Sequence, residues 1–153
     1  MYARAEMQSL LEPMAVSWDW PSDAFADRHR WSGTRDPAAH LAVPAAIDFQ
    51  AEHDWDAVRA RCHALAVHAK VELTALLGTT AFAATDDEFV QMVTVRLPPC
   101  DADALQRRLF DEHRIEVVAQ DWRGEPTLRV SFQGYNDERD LEALLEALPR
   151  VLR

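Results

Sequence analysis

An arginine in an alternating segment near the C-terminus is the most informative candidate for chemistry. Leu128, Val130 and Phe132 alternate with Arg129 and Ser131, and this period of two predicts a half-buried strand whose apolar side chains share one face. The same period places Arg129 on the opposite face. A guanidinium there can bind a carboxylate through two parallel hydrogen bonds. From the pattern alone, a solvated arginine on an open sheet face is the competing interpretation.

The second candidate is the Gly33-Thr34 pair, which lies just before Asp36 and Pro37. A glycine lets the backbone approach an anion closely, and a threonine hydroxyl can donate to a phosphate oxygen. Asp36 followed by proline predicts a helix start, and helix N-termini favour anions. The pair by itself is a weak signal, because an ordinary turn into a helix has the same composition.

The other reactive side chains argue against several further chemistries. Cys62 and Cys100 form no CxxC pair, so a disulfide framework is not predicted and a catalytic thiol is disfavoured. His63 and His68 are five residues apart, hence on different helix faces, and no zinc-binding spacing occurs. Lys70, the one lysine of the sequence, falls in an amphipathic helical stretch, where an exposed or snorkelling lysine is the ordinary case.

Two segments together resemble the class V aminotransferase-like family of pyridoxal 5'-phosphate (PLP) enzymes. The first runs from Trp31 to Asp36 and continues into the Ala-Val-Pro-Ala-Ala-Ile-Asp-Phe run of residues 42–49; the second runs from Leu128 to Asn136. The resemblance is closest to the isopenicillin N epimerase-like branch, and cysteine desulfurases are relatives of it. It covers nearly the whole chain but only the last part of a family protein.

This resemblance implies roles for particular residues. Arg129 would bind the α-carboxylate of an amino-acid substrate. Gly33 and Thr34 would reach across a homodimer interface to the phosphate of the partner's PLP. Trp18 would line the substrate pocket, although an aromatic anchor that holds the loop explains Trp18 equally well. In the family a lysine upstream of both motifs holds PLP as a Schiff base, and no residue upstream of Gly33 is a lysine here.

We therefore expect a truncated or split PLP-dependent enzyme that lacks the half with the cofactor lysine. Alone it would be inactive, with no catalytic residue, no metal site and no bound PLP, although PLP serves the full-length family. Its partners would be the missing N-terminal half or a homodimer partner, and an amino-acid substrate. Epimerase, aminotransferase and desulfurase chemistry remain open. The alternative is a non-catalytic module that binds a carboxylate through Arg129 or interacts with another protein.

The composition excludes other classes of function. The 153 residues include 48% hydrophobic and 27% charged residues, with a formal net charge of −10 and no run of basic residues. Nucleic acid and anionic membrane are therefore not expected partners. No segment approaches the roughly 20 apolar residues of a membrane span, and the N-terminus lacks the pattern of a signal peptide. We expect a cytoplasmic protein.

Three regions are predicted to position the candidate residues. Residues 1–36 form a remnant of a large domain and an irregular active-site and dimer loop. Residues 37–77 form interdomain helices, of which the last is a long strut over residues 55–77, capped by Asp54 and ended by Gly78. Residues 89–153 form a small C-terminal α/β domain. Residues 78–88 are the expected boundary.

Within the small domain the predicted order is strand, helix, strand, strand, helix, with two helices on one face of the sheet. The second strand is expected from the alternation of Ile115, Val117 and Ala119. The fold class is α/β, and the resemblance identifies it as the C-terminal small domain of a fold-type I PLP-dependent transferase.

Overall fold

The computed structural model of the chain describes residues 2–152. Helices and strands follow one another in the order α1 (Ala5–Gln8), α2 (Phe25–Arg30), α3 (Ala38–Leu41), α4 (Val43–Glu52), α5 (Trp55–Leu77), β1 (Met92–Arg96), α6 (Ala102–His113), β2 (Val118–Trp122), β3 (Glu125–Ser131) and α7 (Glu138–Val151). The chain divides into two compact units, the first up to Phe49 and the second from Gln50. No helix among the described residues is long and apolar enough to cross a membrane.

The first unit consists of short helices and irregular segments. The loop predicted to be irregular contains helix α2, so that prediction is wrong for residues 25–30. Asp36 acts at a helix start as expected, because its Oδ1 accepts a hydrogen bond of 2.9 Å from the N–H of Ala38. The first of the predicted interdomain helices is interrupted between α3 and α4, just before Pro44, as a proline in a helix interior favours.

Helix α5 opens the second unit and has the predicted bounds. Its N-cap Asp54 accepts from the N–H of Ala57, and its C-cap Gly78 adopts φ 63° while donating to the carbonyl of Thr74. Only glycine adopts that left-handed conformation without strain, so the helix ends there. The helix was predicted to be a strut and not a member of a helix bundle. In the structure it packs with α7 and the sheet, and five of its side chains are buried in the core, namely Cys62, Leu65, Ala66, Ala69 and Leu73.

The second unit is built on a three-stranded antiparallel sheet in the order β1-β3-β2. β2 and β3 form a tight hairpin in which Arg123 and Gly124 both have positive φ, as a two-residue turn of this kind requires. The predicted second strand began too early. Arg114 ends α6 with φ 60°, and the N–H of Ile115 donates back to the carbonyl of Leu109, so Ile115 belongs to the end of the helix. Val117 precedes the strand, and β2 starts at Val118.

Helices α5, α6 and α7 enclose the hydrophobic core against one face of this sheet, one helix more than predicted. Residues 79–82 add to the free edge of β1 through an isolated bridge between Ala81 and Val95, which ties the expected boundary segment to the sheet. Asp101 caps α6, and Asp137 caps α7 in a reciprocal capping box with Asp140. The predicted order of strand, helix, strand, strand, helix is confirmed.

Candidate functional site

Arg129 lies in the middle of the central strand β3, opposite Thr94 of β1 and Val118 of β2. Its neighbours Leu128 and Val130 are 0% and 5% exposed and belong to the core, whereas Arg129 is partly exposed and Ser131 is exposed. This is the alternation expected of a sheet with helices on one face. Arg129 therefore lies on the face that the three helices leave open.

The guanidinium of Arg129 has no hydrogen-bond or ion-pair partner among residues 2–152. Its Nε is buried there without a partner, although most buried polar atoms in folded proteins are paired. The residue as a whole is partly exposed. The exposed part of this unpaired guanidinium is therefore a candidate ligand contact.

A second arginine on the same face shows what a structural arginine looks like here. Arg96 of β1 donates through Nε to Glu125 at 3.0 Å and through Nη1 to Thr80 at 3.0 Å and the carbonyl of Ala81 at 3.2 Å. Its guanidinium also lies 4.2 Å from the ring centroid of Phe82. Arg96 thus covers the end of the open sheet face that lies next to the β2–β3 hairpin. The sheet face around Arg129 stays accessible.

The turn that follows β3 is built by its own side chains. The Oδ1 of Asn136 accepts from the N–H of Gln133 at 2.9 Å, and its Nδ2 donates to Asp140 at 3.0 Å. A side chain added at Gly134 would meet Val58 at 3.2 Å. Asn136 and Gly134 therefore shape the end of the strand. Tyr135, by contrast, is 85% exposed and is an additional candidate ligand contact that the strand pattern did not indicate.

Gly33 and Thr34 lie in the first unit, on the segment between α2 and α3. Gly33 has φ 126°, a conformation that L side chains rarely adopt, and a Cβ placed there would have no heavy atom within 4 Å. Thr34 is exposed, and its hydroxyl makes no hydrogen bond among the described residues. Backbone and hydroxyl at this position are therefore open to a ligand such as a phosphate group.

Trp18 is 88% exposed, and its ring is stacked on that of Trp31 at 6.2 Å between centroids. Arg28 pairs with Glu12 and lies 5.8 Å from the ring centroid of Trp20. These contacts hold the tryptophan loop together, and most of the surface of Trp18 remains free for a ligand.

Lys70 is held in an ion pair. Its Nζ is 2.7 Å from Oδ1 of Asp86 and 5.6 Å from the ring centroid of Phe89, and its side chain is 16% exposed. The Nζ of Lys70 is thus engaged by a carboxylate of the segment that follows α5. The lysine is therefore less exposed than expected and belongs to the connection between α5 and β1.

Neither cysteine is placed to act as a nucleophile on the face of Arg129. Cys62 is 3% exposed within the core. Partial burial raises the pKa of the Cys100 thiol, and the nearby carboxylate of Asp101 raises it further. No group of three or more metal-binding side chains occurs among residues 2–152.

Solved structures of cysteine desulfurases have the same fold. The cysteine desulfurase CsdA of Escherichia coli matches 99% of this chain with a TM-score of 0.72 and 21% sequence identity. The apo cysteine desulfurase of Thermococcus onnurineus NA1 matches 99% of it with a TM-score of 0.73 and 17% identity. The fold is therefore that of the C-terminal small domain of a fold-type I PLP-dependent transferase, with a long helix before it.

Sequence comparison defines the family. The model of the aminotransferase class-V family matches residues 21–144, and the chain belongs to this family. It is 37% identical to the isopenicillin N epimerase of Streptomyces clavuligerus over 90% of its own length, and 30% identical to a putative L-cysteine desulfhydrase of Oryza sativa over 80%. The chain spans 39% and 30% of these two relatives, respectively.

Proposed function

We propose that this chain supplies the substrate-carboxylate site and a phosphate contact of a PLP-dependent enzyme that acts on an amino acid. The observation that carries this proposal is the guanidinium of Arg129, which is partly exposed on the open face of the sheet and has no partner among residues 2–152. A planar carboxylate pairs with a guanidinium through two parallel hydrogen bonds.

Each residue has a defined task in this proposal. Arg129 binds the α-carboxylate and so fixes how the amino acid is oriented. Gly33 and Thr34 contact the phosphate of the cofactor through a backbone N–H and a hydroxyl, in the active site of a dimer partner. Trp18 borders the substrate. PLP, when bound, withdraws electrons from the substrate Cα, which is the chemistry shared by PLP-dependent amino-acid enzymes.

The residues described here do not complete such a site. Covalent attachment of PLP needs a neutral lysine amine, and Lys70 is paired with Asp86. We infer that the 153 residues alone do not carry out PLP chemistry. Activity then depends on residues that class-V relatives possess in the part of their length that this chain does not match, supplied by the same or by another polypeptide.

The surface of the first unit supports a protein partner. Large apolar side chains are exposed along it, at fractions from 71% to 106% for Tyr2, Leu10, Met14, Val16 and Trp18. Contiguous apolar surface of several hundred Å² on a monomer usually marks an interaction site. We expect self-association or strong binding of a hydrophobic dye, and a monodisperse monomer with little dye binding would contradict this.

The first test measures carboxylate binding at Arg129. L-alanine, titrated to about 10 mM, should shift the backbone amide resonances of β3 and of Thr94 and Val118 in the wild type, and Arg129→Met should abolish these shifts. Arg123→Met, at an arginine on the exposed hairpin turn, is the matched control and should bind as the wild type does. Equal binding by both variants would show that Arg129 is not the carboxylate site.

The second test separates an enzyme part from a binding module. The chain is mixed with the cofactor-lysine portion of a class-V relative, and amino-acid turnover is measured. Turnover that Arg129→Met abolishes supports the enzyme proposal, whereas alanine binding without any turnover favours the non-catalytic module. Gel filtration of the chain alone with PLP should leave no stable visible absorbance. A stoichiometric absorbance that is lost in Lys70→Ala would refute the inference that the 153 residues alone do not carry out PLP chemistry.

A further inference from the structure

The C-terminal end of β3 has a strand edge that no other strand covers. β2 pairs with β3 only as far as Arg129, so it does not reach Ser131. Successive residues of a strand direct their backbone groups to opposite sides, and the N–H of Phe132 donates at 2.9 Å to Gln91 on the side of β1. The N–H and C=O of Ser131 therefore face the side of β2, where they have no hydrogen-bond partner among the described residues.

This free edge borders a cavity of about 610 Å³ in the second unit. The cavity is lined by residues 113–117, which connect α6 to β2, by residues 130–132 of the β3 end, and by side chains of α7 such as Leu144. Its volume is within the range of small-ligand sites, and Ile115 and Val117 give it an apolar part. A ligand in this cavity can therefore reach the unpaired backbone groups of Ser131.

The charged side chains of the cavity define the charge of its ligand. Arg114 lines it and is exposed, and its guanidinium makes no hydrogen bond or ion pair within residues 2–152. Asp140 is engaged by two hydrogen bonds within the turn before α7. Glu116 is exposed and lines the cavity without an ion pair in the described part of the chain. The cavity thus combines an unpaired backbone donor and acceptor with one cation that can bind a carboxylate.

We propose that this cavity binds the C-terminal end of a short extended peptide, which adds to the free edge of β3. The peptide residue opposite Ser131 accepts from its N–H and donates to its carbonyl, as in an antiparallel pair. The terminal carboxylate accepts from the guanidinium of Arg114. A plain carboxylate has no donor for the carbonyl of Ser131, so a peptide group is the ligand that pairs both backbone groups. The carboxylate of Glu116 disfavours acidic side chains in this peptide.

This site does not use Arg129, and its proposal does not depend on the proposed function. The experiment is a titration of the isotope-labelled 153-residue chain with acetyl-alanyl-leucine to about 10 mM, followed through backbone amide resonances. The peptide should shift the resonances of Ser131 and of residues 114–117. Two matched ligands each remove one contact: the C-terminal amide lacks the carboxylate, and acetyl-lactyl-leucine has an ester oxygen in place of the alanine N–H. We expect binding about tenfold weaker for the amide and about fivefold weaker for the ester.

One substitution removes the cation without disturbing the fold. Arg114 has φ 60°, a conformation that glycine adopts without strain, so Arg114→Gly suits the end of α6. Arg123→Gly is the matched control, because Arg123 has φ 56° on the β2–β3 turn and does not line the cavity. We expect Arg114→Gly to weaken peptide binding about tenfold and to bind the acid and the amide equally. Arg123→Gly should bind both ligands as the wild type does.

Each arm of the experiment has a result that would overturn the assignment. Equal affinity of the wild type for the acid and the amide would exclude the carboxylate contact, and an ester that binds as tightly as the peptide would exclude strand addition. No shift at Ser131 at 10 mM peptide would refute the site altogether. Binding that Arg129→Met abolishes and Arg114→Gly leaves unchanged would refute this cavity while supporting the carboxylate site of the proposed function.

Discussion

Replacing Arg129 with methionine should make the protein more stable while it destroys carboxylate binding. The Nε of Arg129 is buried without a hydrogen-bond partner among residues 2–152, and an unsatisfied buried donor costs roughly 1–3 kcal/mol. Methionine keeps the apolar stem between Thr94 and Val118 and removes the donor. Because the rest of the side chain is partly exposed, we take the low end, a gain of about 1 kcal/mol.

Arg96→Met is the matched control, because Arg96 lies on the same face of the same sheet. It loses the hydrogen bonds to Glu125, Thr80 and Ala81 and the contact with Phe82. Its side chain is 38% exposed, so water and salt screen part of this interaction, and we expect a loss of about 1–2 kcal/mol. The two substitutions should therefore change stability in opposite directions.

The assay is urea unfolding followed by far-ultraviolet circular dichroism, together with thermal unfolding. A gain of about 1 kcal/mol raises the melting temperature of a unit of this size by about 4 °C or more. If Arg129→Met destabilises the protein as much as Arg96→Met does, Arg129 has a structural partner and the carboxylate-site argument fails. A rise in stability together with loss of alanine binding is the combination expected of a residue kept for its ligand.

The remaining predictions concern the second unit. Leu73→Ala should lower the free energy of unfolding in urea by about 3 kcal/mol, because Leu73 is 0% exposed in the core. Leu76→Ala, at a position 44% exposed, should change that free energy by less than about 0.5 kcal/mol, and similar losses in the two variants would mean that α5 is not part of the core. In the native protein at neutral pH, iodoacetamide should label Cys100 slowly, because burial raises the pKa of its thiol, and should not label the buried Cys62. Rapid labelling of both cysteines would contradict the described packing. The pKa of Asp137 is lowered, chiefly by its hydrogen bond from Arg139, so its stabilising effect is present above its unfolded-state pKa and lost as the pH falls through the lower folded-state pKa. Asp137→Asn should accordingly flatten the loss of stability below about pH 4, and an unchanged acid transition would show that this cap does not titrate.

Local sequence determined the helices and strands wherever caps and periodicity agreed. Helix α5 begins after Asp54 and ends before Gly78, as predicted. The alternation in β3 correctly placed Leu128 in the core and Arg129 away from it. Such features depend on the residue's own backbone and its near neighbours in the chain. Ile115 and Val117 misled the strand prediction because their alternation is equally compatible with the turn that ends α6.

The sequence predicted only part of the candidate site. The motif around Arg129 led to the family, which the matches over residues 21–144 confirm. Tyr135 lies within this motif, but its 85% exposure was not predicted, because it follows the end of β3 and the alternation of the strand does not extend to it. Whether α5 is a strut or a core helix was also undecidable locally, since an amphipathic stripe shows that a face is buried but not what buries it.

The sequence by itself thus determined the family, the order of elements in the small domain and the face on which Arg129 lies. The tertiary structure decided which charged groups are satisfied. Arg96 pairs with Glu125 and Lys70 with Asp86, 29 and 16 residues away along the chain, whereas the Nε of Arg129 has no partner among the described residues. Pairing depends on the distances in space between residues that are far apart in the sequence. The local sequence pattern does not encode those distances.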